Sequence, residues 1–331
     1  MWAYTIVSSL LLGLLINSPT TVSAQSPKVS TIFQFPNLGS WIEGIAVRPN
    51  GQLLVTRLDT PEIWSVDPTT QTAYSVHTFP NATSVIGITP IGNDVYAVGA
   101  GVVNQSTFAA TAGTFVVWKV DLRGRTPSVS VINSIPAATS LSGMAYFEGS
   151  NSKSKNTSLI LIADTALGAI WRLNPKTGAY SIAISDASML PAPYGPPIGI
   201  NGIRLLGNTL YYTSSTQQEY CSVKLNSDAS AASAIQVIAS GFFQDGLAIT
   251  DKGNAYITTH IQNTVIKVTP DGNATVFAGS LNSTAVAGST DAQFGTYKKK
   301  QVLYVTTNGA LSSPVNGTFT EPAKVVMIGA C

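Results

Sequence analysis

The chain has 331 residues, only 10% of them charged, and a formal net charge of +2. So little charge, with no basic cluster interleaved with aromatics, argues against a nucleic-acid partner. Two cysteines, Cys221 and Cys331, are too few for a disulfide scaffold, and no bond between them is expected.

Residues 5–16 are almost wholly apolar, and Val22-Ser23-Ala24 supplies small residues before Gln25. This reads as a cleavable secretory signal over residues 1–24, leaving one domain over 25–331. The apolar stretch is too short to span a membrane, and no later segment reaches 18 apolar residues. Six N-x-Ser/Thr sequons, at Asn81, Asn104, Asn156, Asn273, Asn282 and Asn316, agree with a secreted glycoprotein.

A residue-plus-glycine pair opens a short apolar strand six times: Glu43-Gly44, Ile86-Gly87, Ser142-Gly143, Asn201-Gly202, Asp245-Gly246 and, more loosely, Phe294-Gly295. The spacings are 43, 56, 59, 44 and 49 residues, a period that marks a β-propeller when each unit holds four strands. In the first unit the strands, A to D, are predicted at 45–47, 53–56, 63–67 and 73–76. Asn50-Gly51 and Asp67-Pro68 form its turns. The fifth unit repeats the plan at 247–249, 255–258, 265–269 and 275–277. Lys298-Lys299-Lys300 falls at a predicted hairpin turn of the sixth.

The sixth unit lacks a D strand, and Val29–Gln34 has the right pattern to supply it. The expectation is an all-β, six-bladed propeller closed by its N-terminal strand, which removes two exposed sheet edges. A monomer is expected. Strand A begins at the mouth of the central channel, so B–C and D–A loops surround that mouth. Two of them, 99–113 and 185–199, are long enough to suggest a binding role.

Radial symmetry brings Glu43, Asn201 and Asp245 to one axis. Two carboxylates and an amide suit a hard divalent cation such as Ca²⁺; the alternative is that they satisfy one another around a water. Residues ending B strands, Arg57, Asp164 and His260, are the candidate acid or base groups. Each has a plainer reading: a surface ion pair for Arg57, a turn cap for Asp164, and a packed edge for His260. His77, on an outer strand, reads as a surface histidine. Trp41, Ile86, Leu141, Ser142, Phe242, Phe243 and Phe294 are expected to line the mouth, which favours a small, mostly hydrocarbon ligand. No Ser/His/Asp triad, GxGxxG or P-loop occurs, so covalent hydrolysis and a nucleotide cofactor are not implied.

Ile42-Glu43-Gly44-Ile45-Ala46-Val47, Ile200-Asn201-Gly202-Ile203 and Gln244-Asp245-Gly246-Leu247-Ala248 resemble the metal-binding motifs of SMP-30/gluconolactonase-like six-bladed propellers. The resemblance implies one ion, usually calcium, on Glu43, Asn201 and Asp245, with an acidic ligand such as Asp245 helping to activate water in lactonases. Members that bind sugar lactones place Arg and Asn near the start of the third blade, where this chain has Leu141-Ser142-Gly143. The texture, including Tyr304–Gly309 at the end of a sixth-blade strand, is also similar to fungal hetero-Diels–Alderases of tropolonic sesquiterpenoid pathways. That likeness implies joining an o-quinone methide to a humulene-type alkene. A calcium-dependent lactonase on a hydrophobic lactone and a non-enzymatic ligand-binding propeller are the alternatives.

Overall fold

The computed structural model describes residues 27–329 except 105–106, 108 and 150–157. The segment 1–24, the sequon Asn156 and Cys331 lie outside the described residues. The described chain forms six antiparallel four-stranded sheets, each built from consecutive strands except the last. In that sheet Val29–Gln34 pairs with Lys324–Gly329, so the N-terminal strand completes blade 6 as expected.

The repeat converts into structure by a simple rule. β-branched and aromatic residues fill the strands, and one face of each sheet packs on the next. Six apolar clusters occupy the six seams between neighbouring blades; Ala46, Leu54 and Ile63 of blade 1, for instance, meet Val85, Tyr96 and Val98 of blade 2. Strand bounds follow the sequence reading closely: Leu247–Ile249 and Ala255–Thr258 in blade 5 coincide with it. Lys298 and Lys299 form the expected hairpin turn, both with positive φ.

Blades 1 to 4 and blade 6 carry a register shift in the inner strand, between Ile42 and Ile45, Val85 and Ile88, Leu141 and Met144, Ile200 and Ile203, and Ser289 and Ala292. The residue pair inside each irregularity faces the channel, a usual service of a bulge. The register corrects the sixth pair. It is Thr290-Asp291, not Phe294-Gly295, because Ser289 pairs with Thr307 and Ala292 with Val305. Phe294 lies further along the strand, packed edge-on against Tyr256 at 5.3 Å in the seam between blades 5 and 6.

Glycine is required inside the ring by crowding. A Cβ at Gly44, Gly87, Gly143, Gly202 or Gly246 would sit 2.8, 2.1, 2.3, 2.8 or 2.7 Å from the next blade's carbonyl oxygen. Four threonines one strand out fasten this ring. Thr56 receives the Gly44 N–H at 2.7 Å and donates to the Ile86 carbonyl at 2.7 Å. Thr213, Thr258 and Thr306 make the corresponding bonds to the carbonyls of Asp245, Thr290 and Glu43. Blades 2 and 3 have Gly99 and Ala163 instead, and the Met144 side chain fills the space beside Gly87 and Gly99.

Cys221 is a buried free thiol in the seam between blades 3 and 4, and burial pushes its pKa up to about 12. No helix among the described residues is long and apolar enough to cross a membrane.

Candidate active site at the channel mouth

Glu43, Ile86, Ser142, Asn201, Asp245 and Thr290, one residue from each blade, line the same central channel. The convergence expected of Glu43, Asn201 and Asp245 is therefore present. Their hydrogen bonds form a chain. Ser142 Oγ donates to Asn201 Oδ1 at 2.7 Å, and Asn201 Nδ2 donates to Asp245 Oδ1 at 2.7 Å and to Ser215 Oγ at 3.1 Å. His260 Nδ1 lies 2.9 Å from the other Asp245 oxygen, and Asn308 Nδ2 lies 3.2 Å from His260 Nε2. Trp41 Nε1 donates to Glu43 Oε2 at 2.6 Å.

The His260 tautomer follows from its neighbours. Asn308 Oδ1 accepts the backbone N–H groups of Ala310 and Leu311 at 3.0 and 3.3 Å, so its amide nitrogen is the group facing the ring. Nε2 must then accept, and Nδ1–H donates to Asp245. The backbone assists: His260 has φ of 49°, a left-handed conformation uncommon for a non-glycine residue.

Burial sets the protonation of this cluster. It pushes Glu43 up to about 8, with the Asp245 charge adding to the effect and the Trp41 bond opposing it. Asp245 is raised well above the carboxylate range by burial and by the Asp291 charge. His260 is lowered by burial and stays neutral at pH 7. Glu43 therefore holds its proton at neutral pH. With Trp41 on one oxygen, Glu43 has the other free to carry a transferable proton.

Trp41 and Phe243 flank the His260 ring at centroid distances of 5.3 and 6.0 Å. Trp41, Ile86 and Leu141 share one apolar cluster with Leu58, and Leu311 packs against it. Ile86 and Ser142 line the channel as expected, whereas Leu141 is fully buried in the seam and Phe242 packs in the seam between blades 4 and 5. Phe294 is not at the mouth.

Arg57 and Asp164 are not brought to the cluster. They pair with Ile42 and Leu141, one register step short of the position that His260 holds in blade 5. A one-residue step turns a strand side chain to the opposite face. Asp164 is fully buried and spent on structure: it accepts from the backbone N–H groups of Thr139 and Ser140 at 2.9 Å each, from the Thr139 hydroxyl, and from Trp171 Nε1 at 3.0 Å. Arg57 pairs with Asp59 and stacks 3.9 Å over Phe35. His77 packs on Phe79 at 4.8 Å in an outer strand.

Sequence reasoning missed Ser215 and Asn308, which occupy the His260 position in blades 4 and 6. The signal was present, since Thr213, Thr258 and Thr306 each stand two residues before them. It also missed Arg204, whose Nη2 reaches Asp291 Oδ1 and Oδ2 at 2.8 and 3.0 Å inside the channel.

The donor types fit a hard cation, but their arrangement does not. Asn201 Oδ1 is taken by Ser142, its nitrogen faces Asp245, and the second Asp245 oxygen is held by His260. Among the described residues no group of three or more His, Cys, Asp or Glu could hold a metal ion.

This geometry defines a six-bladed β-propeller with an acid-bearing, aromatic-walled mouth. Its fold is that of SMP-30/gluconolactonase-like structures. Regucalcin, a calcium-binding protein from Agrobacterium tumefaciens, aligns with a TM-score of 0.61 at 14% identity, covering 92% of this chain and 96% of that one. A gluconolactonase from Xanthomonas campestris aligns with a TM-score of 0.52 at 13% identity, covering 92% and 89%. Such identities carry the fold alone. The sequence itself is 29% identical over 324 residues to a protein from a Phoma species named as a presumed hetero-Diels–Alderase, covering 87% of this chain and 91% of that one. A Sarocladium schorii protein with the same presumed activity is 27% identical over 317 residues, covering 83% and 77%. No family profile matches the chain. Both names support a cyclase role over a hydrolase.

Proposed function

We propose that the protein is a hetero-Diels–Alderase, joining an o-quinone methide derived from a tropolone or phenol to a humulene-type alkene. The likeness to presumed enzymes of this kind along 87% of the chain carries the reading. The site is compatible with it. Cycloaddition needs no nucleophile, only two partners held in a reactive pose, and such orientation can remove roughly 7–11 kcal/mol of barrier.

Formation of the quinone methide from a benzylic-type alcohol needs acid. Glu43 would protonate the departing hydroxyl, the carbon–oxygen bond would break to release water, and the ring hydroxyl proton would return to the Glu43 carboxylate. The alkene then adds across the oxygen and exocyclic carbon, forming one C–O and one C–C bond at the expense of two π bonds. Hydrogen-bond donors on the dienone oxygen lower this barrier.

The test is product formation from the alcohol precursor and alkene, with and without protein. Faster formation of a single stereoisomer supports the reading; unchanged rate and stereochemistry ends it. Hydrolysis of hydrophobic lactones that needs calcium would move the assignment to the lactonase alternative. Calcium, if bound, would be held by Glu43, Asn201 and Asp245 and supply Lewis acidity. It would first have to displace Ser142 and His260 from those residues.

Passage through the secretory route is part of the proposal. It is supported by the exposure of Asn81, Asn104, Asn273, Asn282 and Asn316. A mass shift on N-glycosidase treatment of protein from its own host tests it.

A further inference from the structure

The central channel offers about 30 Å³, room for little more than a water molecule. Beside it, across Trp41, opens a hollow of about 570 Å³ bounded by Leu38, Ser40, Trp41, Arg57, Asp59 and Leu311. Pockets for small organic molecules run from roughly 300 to 1,000 Å³, so of the two the hollow has the right size.

Its chemistry is mixed in an instructive way. Leu38, Trp41 and Leu311 give apolar surface, and Leu38 is 67% exposed there. Arg57 gives a fixed cation whose side chain is only 8% exposed. Asp59 holds its Nε and Nη2, the Phe35 ring lies 3.9 Å beneath the guanidinium carbon, and Asp59 Oδ1 also takes the Trp41 backbone N–H at 3.0 Å. Both the position and the plane of the guanidinium are thereby set. Nη1, with two N–H donors, is left for the hollow. A pre-set planar donor beside a tryptophan suits a flat ring that carries an oxygen.

We propose that this hollow binds an oxygen-bearing ring of the phenol or tropolone class, its oxygen on Arg57 Nη1 and its carbon body against Trp41, Leu38 and Leu311. The choice of ring rests on the cyclase reading; the hollow and its donor do not. Trp41 then joins two compartments, since its indole N–H holds Glu43 on the channel side while the same residue walls the hollow. Trp41 thus links the ring to Glu43, while the ring itself stays outside the narrow channel.

Tropolone titrated into the intact protein, followed by tryptophan fluorescence and calorimetry, tests the site. Saturable binding is expected, weakened roughly ten-fold in Arg57→Lys, which keeps the charge facing Asp59 but loses the planar fork. Leu311→Trp should narrow the hollow and weaken tropolone binding with unchanged thermal unfolding. Azulene, flat but without oxygen, should bind wild type and Arg57→Lys alike. Equal tropolone affinity in wild type, Arg57→Lys and Leu311→Trp overturns the proposal. Binding that follows the expected pattern without any adduct formation would retain this site and reject the cyclase reading; adduct formation with tropolone affinity indifferent to both substitutions would do the reverse.

Discussion

Arg204 of blade 4 crosses the channel to Asp291 of blade 6, its Nη2 lying 2.8 and 3.0 Å from the two carboxylate oxygens. Asp291 stands at the bulge position that is glycine in the other five blades. The ring thus replaces one close backbone contact with an ion pair that fills the passage. Because each charge is held by the other in a part-buried site, removing one partner is worse than removing both. Arg204→Met should destabilise by about 3–5 kcal/mol, and the double change Arg204→Met/Asp291→Gly by distinctly less. Urea denaturation of the three proteins decides it.

Glu43 gives a pH dependence with a definite sign. Its folded pKa, about 8, lies above the ordinary value of 4.5, so the folded state holds a proton that the unfolded chain releases in between. Its contribution is therefore fully present below about pH 4.5 and declines as pH rises to about 8. Glu43→Gln should flatten that decline and raise Tm by roughly 2–4 °C at pH 8.5. Thermal unfolding across pH 5–9 measures it; equal slopes in both proteins would contradict the assigned burial.

The same proton sets the reaction's pH profile. Adduct formation from the alcohol precursor should fall as pH rises through about 8. Glu43→Gln should lower that rate by roughly 10²–10⁴. With quinone methide generated chemically in the tube, the same variant should lose little. Equal losses from both starting materials would remove Glu43 from the dehydration step.

Calcium should have little effect on stability. The oxygens it would need on Asn201 and Asp245 already accept from Ser142, Asn201 and His260. Calcium in excess at pH 7 is expected to shift Tm by under roughly 1 °C, since only a ligand that binds the folded state appreciably stabilises it. A rise of several degrees that disappears in Glu43→Gln would instead establish a cation site.

Much of this architecture was legible because propeller repeats write the same physics several times. Val29–Gln34 could be assigned to blade 6 from pattern alone, since an unpaired edge needs a partner. Glu43, Asn201 and Asp245 could be placed together from period alone. What failed was register. Phe294-Gly295 mimicked the motif, while the structural equivalent, Thr290-Asp291, had lost its glycine. Arg57 and Asp164 sit one step from the position that His260 holds, a difference that strand pattern without pairing partners does not resolve. Asn308 and Ser215 were hidden for the same reason, although the Thr-x-His, Thr-x-Asn and Thr-x-Ser triplets are visible once the threonines are aligned. Arg204 was missed because its partner comes from a blade 87 positions away along the chain.

The threonine that fastens neighbouring blades is absent at two joints; between blades 3 and 4 the Ser142–Asn201 bond takes its place, whereas between blades 2 and 3 Met144 offers only dispersion contacts beside the axis. Dispersion lacks direction, so this joint can slide where the others must snap. Mechanical or thermal stress on the closed circle should therefore concentrate at one spoke instead of spreading evenly. The annulus has a built-in clasp next to the 102–115 loop, and amide exchange at Gly87 and Gly143 should report its unlatching before the remaining joints yield.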